Sequence, residues 1–161
     1  YNFAIMSDHG HGPMLEVIYC DQLLPSGTRW SSEGGMLLVA PQDSQEARTL
    51  TRCLGEAGIT PWPNDFLPQD QRQQLLVFAP PAGTLKSFER DIQGSGQPSG
   101  QSKYRSNHGM QPGTEADYRF CVFSGPRIPQ GSIPFGRAEQ VAPTLAAIME
   151  LETDWNAEPL F

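Results

Sequence analysis

Basic residues, cysteine and histidine are all scarce in this chain of 161 residues, and each shortage excludes something. Lys and Arg number 11 against 18 Asp and Glu, for a formal net charge of −7, and no basic stripe stands out. Such a chain repels an extended polyanion, so a nucleic-acid duplex is not an expected partner. The three cysteines, Cys20, Cys53 and Cys121, are an odd number without Cys-x-x-Cys spacing, which indicates neither a disulfide framework nor a zinc ribbon. Cys53 on a helix face and Cys121 within a strand read instead as small buried apolar residues. No apolar run approaches the roughly 20 residues of a membrane span, and no basic start with a cleavage site marks a signal segment.

What is present is an alternation of short apolar runs with helical periodicity. Tyr1 to Met6 reads as a buried strand and Leu15 to Cys20 as a second short one. Met36 to Ala40, bounded by Gly35 and Pro41, has the pattern of a strand buried on both faces. From Ser44 to Gly58 the positions Ala47, Leu50, Leu54 and Ala57 recur at helical spacing, with Asp43 or Ser44 as cap and Gly58 as stop. Thr60 to Asp65 breaks regular structure, Leu75 to Ala79 is another buried strand, and Leu85 to Ile92 fits a short helix. Residues 93–103, rich in Gly, Ser and Gln without an apolar anchor, predict a flexible loop. Tyr118 to Phe123 is a further strand. Pro143 is tolerable only in a first helical turn, which places the start of the last helix near Val141, and that helix runs to about Leu151. These elements predict one α/β domain over 1–161, with a layered mixed sheet and helices on its faces. Tyr1 opens a strand with no preceding turn or cap, so the chain reads as if cut out of a longer polypeptide.

Histidine is confined to two glycine-containing loops. Ser7-Asp8-His9-Gly10-His11-Gly12 follows the first apolar run, and Ser106-Asn107-His108-Gly109-Met110 stands beyond a long insert. Neighbouring residues on a strand point to opposite faces, so Asp8 and His9 converge only where the strand breaks, and Gly10 and Gly12 permit that break. Carboxylate and neutral imidazole are ordinary zinc ligands, and a bound ion polarises an oxygen or activates a nucleophile. The plainer alternative is that Asp8 caps a turn and the histidines are polar loop residues.

The order Ser-Asp-His-Gly after an apolar strand, Asn-His-Gly, the strand and turn from Tyr118 to Gly131, and the closing helix from Val141 to Met149 resembles the C-terminal part of the alkaline phosphatase superfamily. Within it the pattern is most like the type I phosphodiesterase/nucleotide pyrophosphatase family. The likeness covers about residues 1–12 and 104–152, and between them only a general α/β pattern fits. It implies an alkaline-phosphatase-like fold and a metal-dependent hydrolase of phosphoric esters, whether phosphodiesters, nucleotide pyrophosphates or phosphomonoesters. It also implies two divalent metal ions, usually zinc. By that likeness Asp8 and His9 bind the ion that activates a Thr or Ser nucleophile, and His108 binds the ion on the opposite oxygen. His11 has no regular counterpart in the family, so substrate contact, a supporting role behind the ligands and plain solvation all stay open for it. Lys103 and Arg105 are candidates for a phosphate oxygen or for exposed loop charges.

The family's nucleophile and remaining ligands precede its Asp-His-Gly motif. The resemblance therefore implies that an N-terminal portion of the same protein, or a complementing chain, completes the site, and that this chain alone is inactive. A small phosphate ester is the expected substrate. Gln140 stands where the family commonly has an Asp cap, a weaker choice for the last helix. A noncatalytic fragment or weak metal-binding module with the same fold is the alternative, and sulfatase- or phosphonate-hydrolase-like chemistry a further one.

Overall fold

The computed structural model describes residues 1–81, 83–110 and 113–161. The chain is mixed α/β. Where the sequence predicts one domain, it divides into two compact units, residues 8–119 and residues 1–7 with 120–161.

In the larger unit the longest regular stretch does what its periodicity dictates. Helix α2 spans Ser44–Glu56, between the single-turn helices α1 (Cys20–Leu23) and α3 (Gln69–Arg72), and the Asp43 carboxylate accepts from the backbone N–H of Gln45 and Glu46, both at 2.8 Å. Gly58 takes φ +76°, the Gly58 N–H donates to Gly55 O, and the Ile59 N–H donates to Leu54 O. This pair of bonds closes the helix and turns Ile59 back onto it. Leu50 and Leu54 are fully buried, each contributing about 1.5–3 kcal/mol over an exposed position. They meet Ile18, Leu37, Val39, Ile59, Phe78 and Phe88 in one core.

That core lies against a sheet of four antiparallel strands, ordered β4 (Arg29–Glu33), β5 (Met36–Ala40), β7 (Leu76–Ala79) and β6 (Thr60–Trp62). Leu37 and Val39 are fully buried while Met36, Leu38 and Ala40 are half-buried. The continuous apolar run of β5 is thus sealed fully on one face only. The stretch expected to break regular structure instead supplies β6, where Pro61 is admissible because the strand is at the sheet edge.

A second sheet centres on β3 (Glu16–Tyr19), parallel to β8 (Lys86–Glu89) and antiparallel to β9 (Ser99–Gln101). The predicted single mixed sheet is replaced by separate sheets, and among the described residues only β3 and β8 pair in parallel. β8 also corrects the short helix expected there: Ser87 and Phe88 are both buried, and the backbone pairs with β3 instead of with itself. Residues 93–103, expected as an unanchored loop, contain β9 and have a polar anchor in Asp91. Its Oδ2 accepts from Ser95 Oγ and the Gly96 N–H, each at 2.9 Å, and from Gln22 Nε2 at 3.3 Å. Cys20 is fully buried, and Cys53 is half-buried with its thiol donating to Leu23 O at 3.1 Å.

In the smaller unit β1 (Phe3–Met6) pairs antiparallel with β11 (Cys121–Ser124). The sequence predicts a buried first strand and a buried Cys121, and neither is buried: Phe3 and Ile5 are each 63% exposed, and Cys121 is exposed. Two strands cover only each other's backbones, so an apolar run is buried only if another layer lies over it. Helix α4, Val141–Ile148, keeps Pro143 in its first turn as predicted, and the Gln140 side chain makes no capping bond to it. The chain end packs back, with the Leu160 N–H donating to Thr144 Oγ1 at 2.9 Å and the Phe161 ring edge-on to Phe123 at 5.4 Å.

Candidate metal centre

The two histidine loops are brought together by a short ladder in the larger unit. Strand β2 (Gly12–Pro13) pairs antiparallel with β10 (Ser106–Asn107), matching Gly12 to Asn107 and Pro13 to Ser106. Just beyond it the Met14 N–H donates to the Arg105 carbonyl at 3.0 Å. His11 immediately precedes one strand and His108 immediately follows the other. Antiparallel pairing makes those positions neighbours.

Glycine seats both loops. A Cβ on Gly10 would stand 2.2 Å from the Ala116 carbonyl oxygen, and one on Gly12 would stand 2.8 Å from Ala116 Cβ. The first loop therefore lies directly on the short turn Glu115–Asp117. The His108 loop lies on the β4–β5 turn, where the Gly35 N–H donates to the His108 carbonyl at 3.1 Å and the Gly34 carbonyl accepts from the Phe88 N–H at 2.9 Å. Asn107 Oδ1 accepts the His108 N–H at 2.9 Å. The seat is thus tied through Phe88 to the hydrophobic core. Nothing in the local sequence of Gly34 and Gly35 marks them as its support.

On this frame all three imidazoles gather. The ring centres of His9 and His108 are 4.4 Å apart with planes at 27°, those of His9 and His11 are 5.4 Å apart at 39°, and those of His11 and His108 are 6.1 Å apart at 58°. His9 Nδ1 lies 2.9 Å from the Gly10 carbonyl oxygen. A carbonyl only accepts, so Nδ1 carries the hydrogen and neutral His9 keeps its lone pair on Nε2. That Nε2 faces Asp8 Oδ2 at 3.4 Å. Asp8 Oδ1 accepts the His9 N–H at 3.0 Å, which holds the carboxylate beside the ring.

A divalent ion can be tested against this arrangement by its donor set. Two ligand atoms on a tetrahedral zinc, each about 2.0–2.1 Å from it, are about 3.3 Å apart. Asp8 Oδ2 and His9 Nε2 have that separation, and the hydrogen bond from Nδ1 to a backbone carbonyl is the usual orienting partner of a ligating imidazole. The pair fits as half of a zinc site. Among the described residues no group of three or more His, Cys, Asp or Glu side chains is arranged to hold an ion, so the fit does not extend to a full set as the side chains stand.

The two basic candidates stand differently. The Lys103 ammonium lies over the Tyr104 ring, 4.7 Å from its centre. Lys103 also borders an open polar hollow of about 470 Å³ with Tyr19, Ser99 and Gln101. Arg105 is exposed, and its carbonyl, not its guanidinium, joins the ladder. Of the residues singled out from the sequence, Asp8, His9, His11 and His108 come together, while no contact of Lys103 or Arg105 with an imidazole is seen among the described residues. No family model and no curated protein matches the chain.

Proposed function

We propose that this chain forms part of a metal-dependent phosphoric ester hydrolase, with Asp8 and His9 holding one divalent ion and His108 serving as a ligand of a second. Zinc suits these donors, and the substrate is a phosphodiester, a nucleotide pyrophosphate or a phosphomonoester. An alkaline-phosphatase-like layering of the complete domain belongs to the same proposal.

The observation that carries it is the meeting of the two histidine loops. A long insert separates them in sequence, yet the His9 and His108 rings lie 4.4 Å apart, with an acidic oxygen 3.4 Å from His9 Nε2. Unrelated solvated loop histidines have no reason to share one spot with a carboxylate. Paired ions, when bound, draw charge from a phosphoryl oxygen and activate an attacking hydroxyl. The chain's own part is narrower. Asp8 and His9 bind, the Gly10 carbonyl fixes the His9 tautomer, and the Gly34–Gly35 turn sets the position of the His108 loop. The Thr or Ser nucleophile and the remaining ligands are assigned to a complementing portion of polypeptide.

The test is hydrolysis of an aryl phosphate and an aryl nucleotide ester by the native species isolated from its source and loaded with zinc. Activity that falls at least about a hundredfold in Asp8→Ala supports the proposal. Full activity in that variant refutes it. A second reading, a noncatalytic metal-binding module, is favoured by the incomplete ligand group among the described residues. It is the one left standing if the zinc-loaded native species turns over neither ester.

A further inference from the structure

We propose that the bare face of the β1–β11 sheet is the contact surface of a homodimer, in which a second copy of this chain stacks the same face upon it. The surface lies wholly in the smaller unit, residues 1–7 with 120–161, and is independent of the metal reading.

Antiparallel register decides which side chains share a face. Phe3 stands opposite Ser124 and Ile5 opposite Val122, and the alternation puts Ala4, Met6, Cys121 and Phe123 on the other side. The register continues to Ser7 and Phe120, where the Ser7 N–H donates to the Phe120 carbonyl at 3.0 Å and the Phe120 N–H donates to Ser7 Oγ at 3.1 Å. The side that bears Phe123 is partly covered by the Phe161 ring. On the first side Phe3, Ile5, Phe120 and Val122 are each more than half exposed. With Tyr1 beyond Phe3 they leave about 600 Å² of apolar surface, on the scale of roughly 200 Å² for a whole aromatic side chain. That stands at the upper end of the largest apolar patch on a typical monomer, about 300–600 Å².

What this face fits is itself. Each aromatic has a serine opposite it: Phe3 faces Ser124 at one end of the ladder and Phe120 faces Ser7 at the other, with Ile5 and Val122 level between them. Bulk and hollow therefore lie in diagonal order. A copy turned over about a two-fold axis along or across the strands brings each of its phenylalanines above a serine and sets its Ile5–Val122 pair against the same pair. Stacked sheets about 10 Å apart interdigitate in this way. Residues 1–7 and 120–124 hold no Asp, Glu, Lys or Arg, so two chains of net charge −7 meet where no like charges oppose one another. Two such faces bury about 1,200 Å² in total, which reaches the lower bound of stable specific interfaces. A sheet of two strands is marginal in water, and the second copy supplies the layer it lacks.

The experiment is sedimentation equilibrium of the full chain across a wide range of concentrations. The wild type is expected to pass reversibly from the chain mass of 17.7 kDa to twice that value, with a dissociation constant in the micromolar range. Ile5→Lys places a charge at the centre of the face and is expected to hold the chain at its single mass throughout. Ile92→Lys, the same exchange at an exposed isoleucine of the larger unit, is expected to leave the dimer unchanged. Ser124→Phe fills one hollow, and it is expected to weaken the dimer at least about tenfold although it adds apolar surface. A wild type that stays at the single mass, or a dimer untouched by Ile5→Lys, overturns the proposal. Tighter association of Ser124→Phe also overturns it, because the face is then apolar without being self-complementary. A native species that holds a different polypeptide in place of a second copy, released by Ile5→Lys, overturns it as well and assigns the face to that polypeptide.

Discussion

The seat of the His108 loop makes a demanding prediction because it has no side chain at its centre. Gly34→Ala would place a Cβ 2.0 Å from the His108 carbonyl oxygen and 2.9 Å from its carbon, at φ +59°. Ordinary contacts of a Cβ begin near 3.4 Å, so the His108 backbone has to retreat by more than an ångström. Holding an alanine in the left-handed region costs about 1 kcal/mol. Breaking the hydrogen bond from Gly35 N–H to His108 O, 3.1 Å long, costs about 1 more, and residual crowding about another 1. The expected loss is about 3 kcal/mol, which at a typical urea slope of about 1–3 kcal/mol/M lowers the unfolding midpoint by about 1–3 M. Gly27→Ala is the internal control: its φ is +86°, but nothing lies within 4 Å, so it should cost only the backbone strain of about 1 kcal/mol. Urea unfolding followed by near-ultraviolet circular dichroism measures both. Equal losses in the two variants, within about 0.5 kcal/mol, would mean that the loop yields freely and that the seat does not position His108.

Two further outcomes follow from buried polar groups. Burial pushes the Asp91 carboxyl upward, but hydrogen bonds from Ser95 and Gly96 outweigh it and hold the group below the usual carboxylate range. Its stabilising contribution is therefore complete above the unfolded pKa and fades as pH falls through the folded one, so the protection of the Ser95 and Gly96 amides, taken relative to intrinsic exchange at each pH, should fall in acid, and in Asp91→Asn it should be low at neutral pH as well. Burial, and secondarily the charge of Asp21, pushes the Cys20 thiol up to about 12, so stability should decline as pH rises from about 9 toward that value, and a thiol reagent should label exposed Cys121 at once but Cys20 only on unfolding.

Features whose cause is local were the ones legible in the sequence. Asp43, the spacing of Leu50 and Leu54, and Gly58 define α2 without reference to anything distant, and the helix ends within two residues of where they put it. The break after the first strand was equally local: Gly10 and Gly12 permit it and His9 stands in it. What the sequence could not show is which layers exist. Phe3, Ile5 and Cys121 have the composition of buried strand residues, and whether they are buried depends on what lies over them. Lys86–Glu89 is a strand where the sequence suggests a helix for a related reason: four residues are too few to express a period, and the parallel partner β3 decides the matter from far away in the chain. The anchor at Asp91 is polar, and a loop's lack of apolar residues says nothing about such an anchor.

The candidate site falls between these cases. Its chemistry is written locally, in an Asp-His-Gly-His sequence with a third histidine beside glycine, but its assembly depends on a ladder of only two residue pairs. So short a ladder cannot hold two loops in register by its own hydrogen bonds, since an isolated two-stranded pairing is marginal in water. The added restraint comes from backbone packed on backbone: Gly10 against Ala116, and Gly34 against His108. These contacts are absent from any reading of side-chain chemistry because they consist of the space a missing Cβ leaves. They are linked to the core through the Phe88 N–H, which donates to Gly34 O while its ring is buried. The imidazole cluster thereby inherits the rigidity of the sheet without any of its three rings being fully buried. A site of that construction leaves its rings accessible and confines the cost of ordering to the glycine seats.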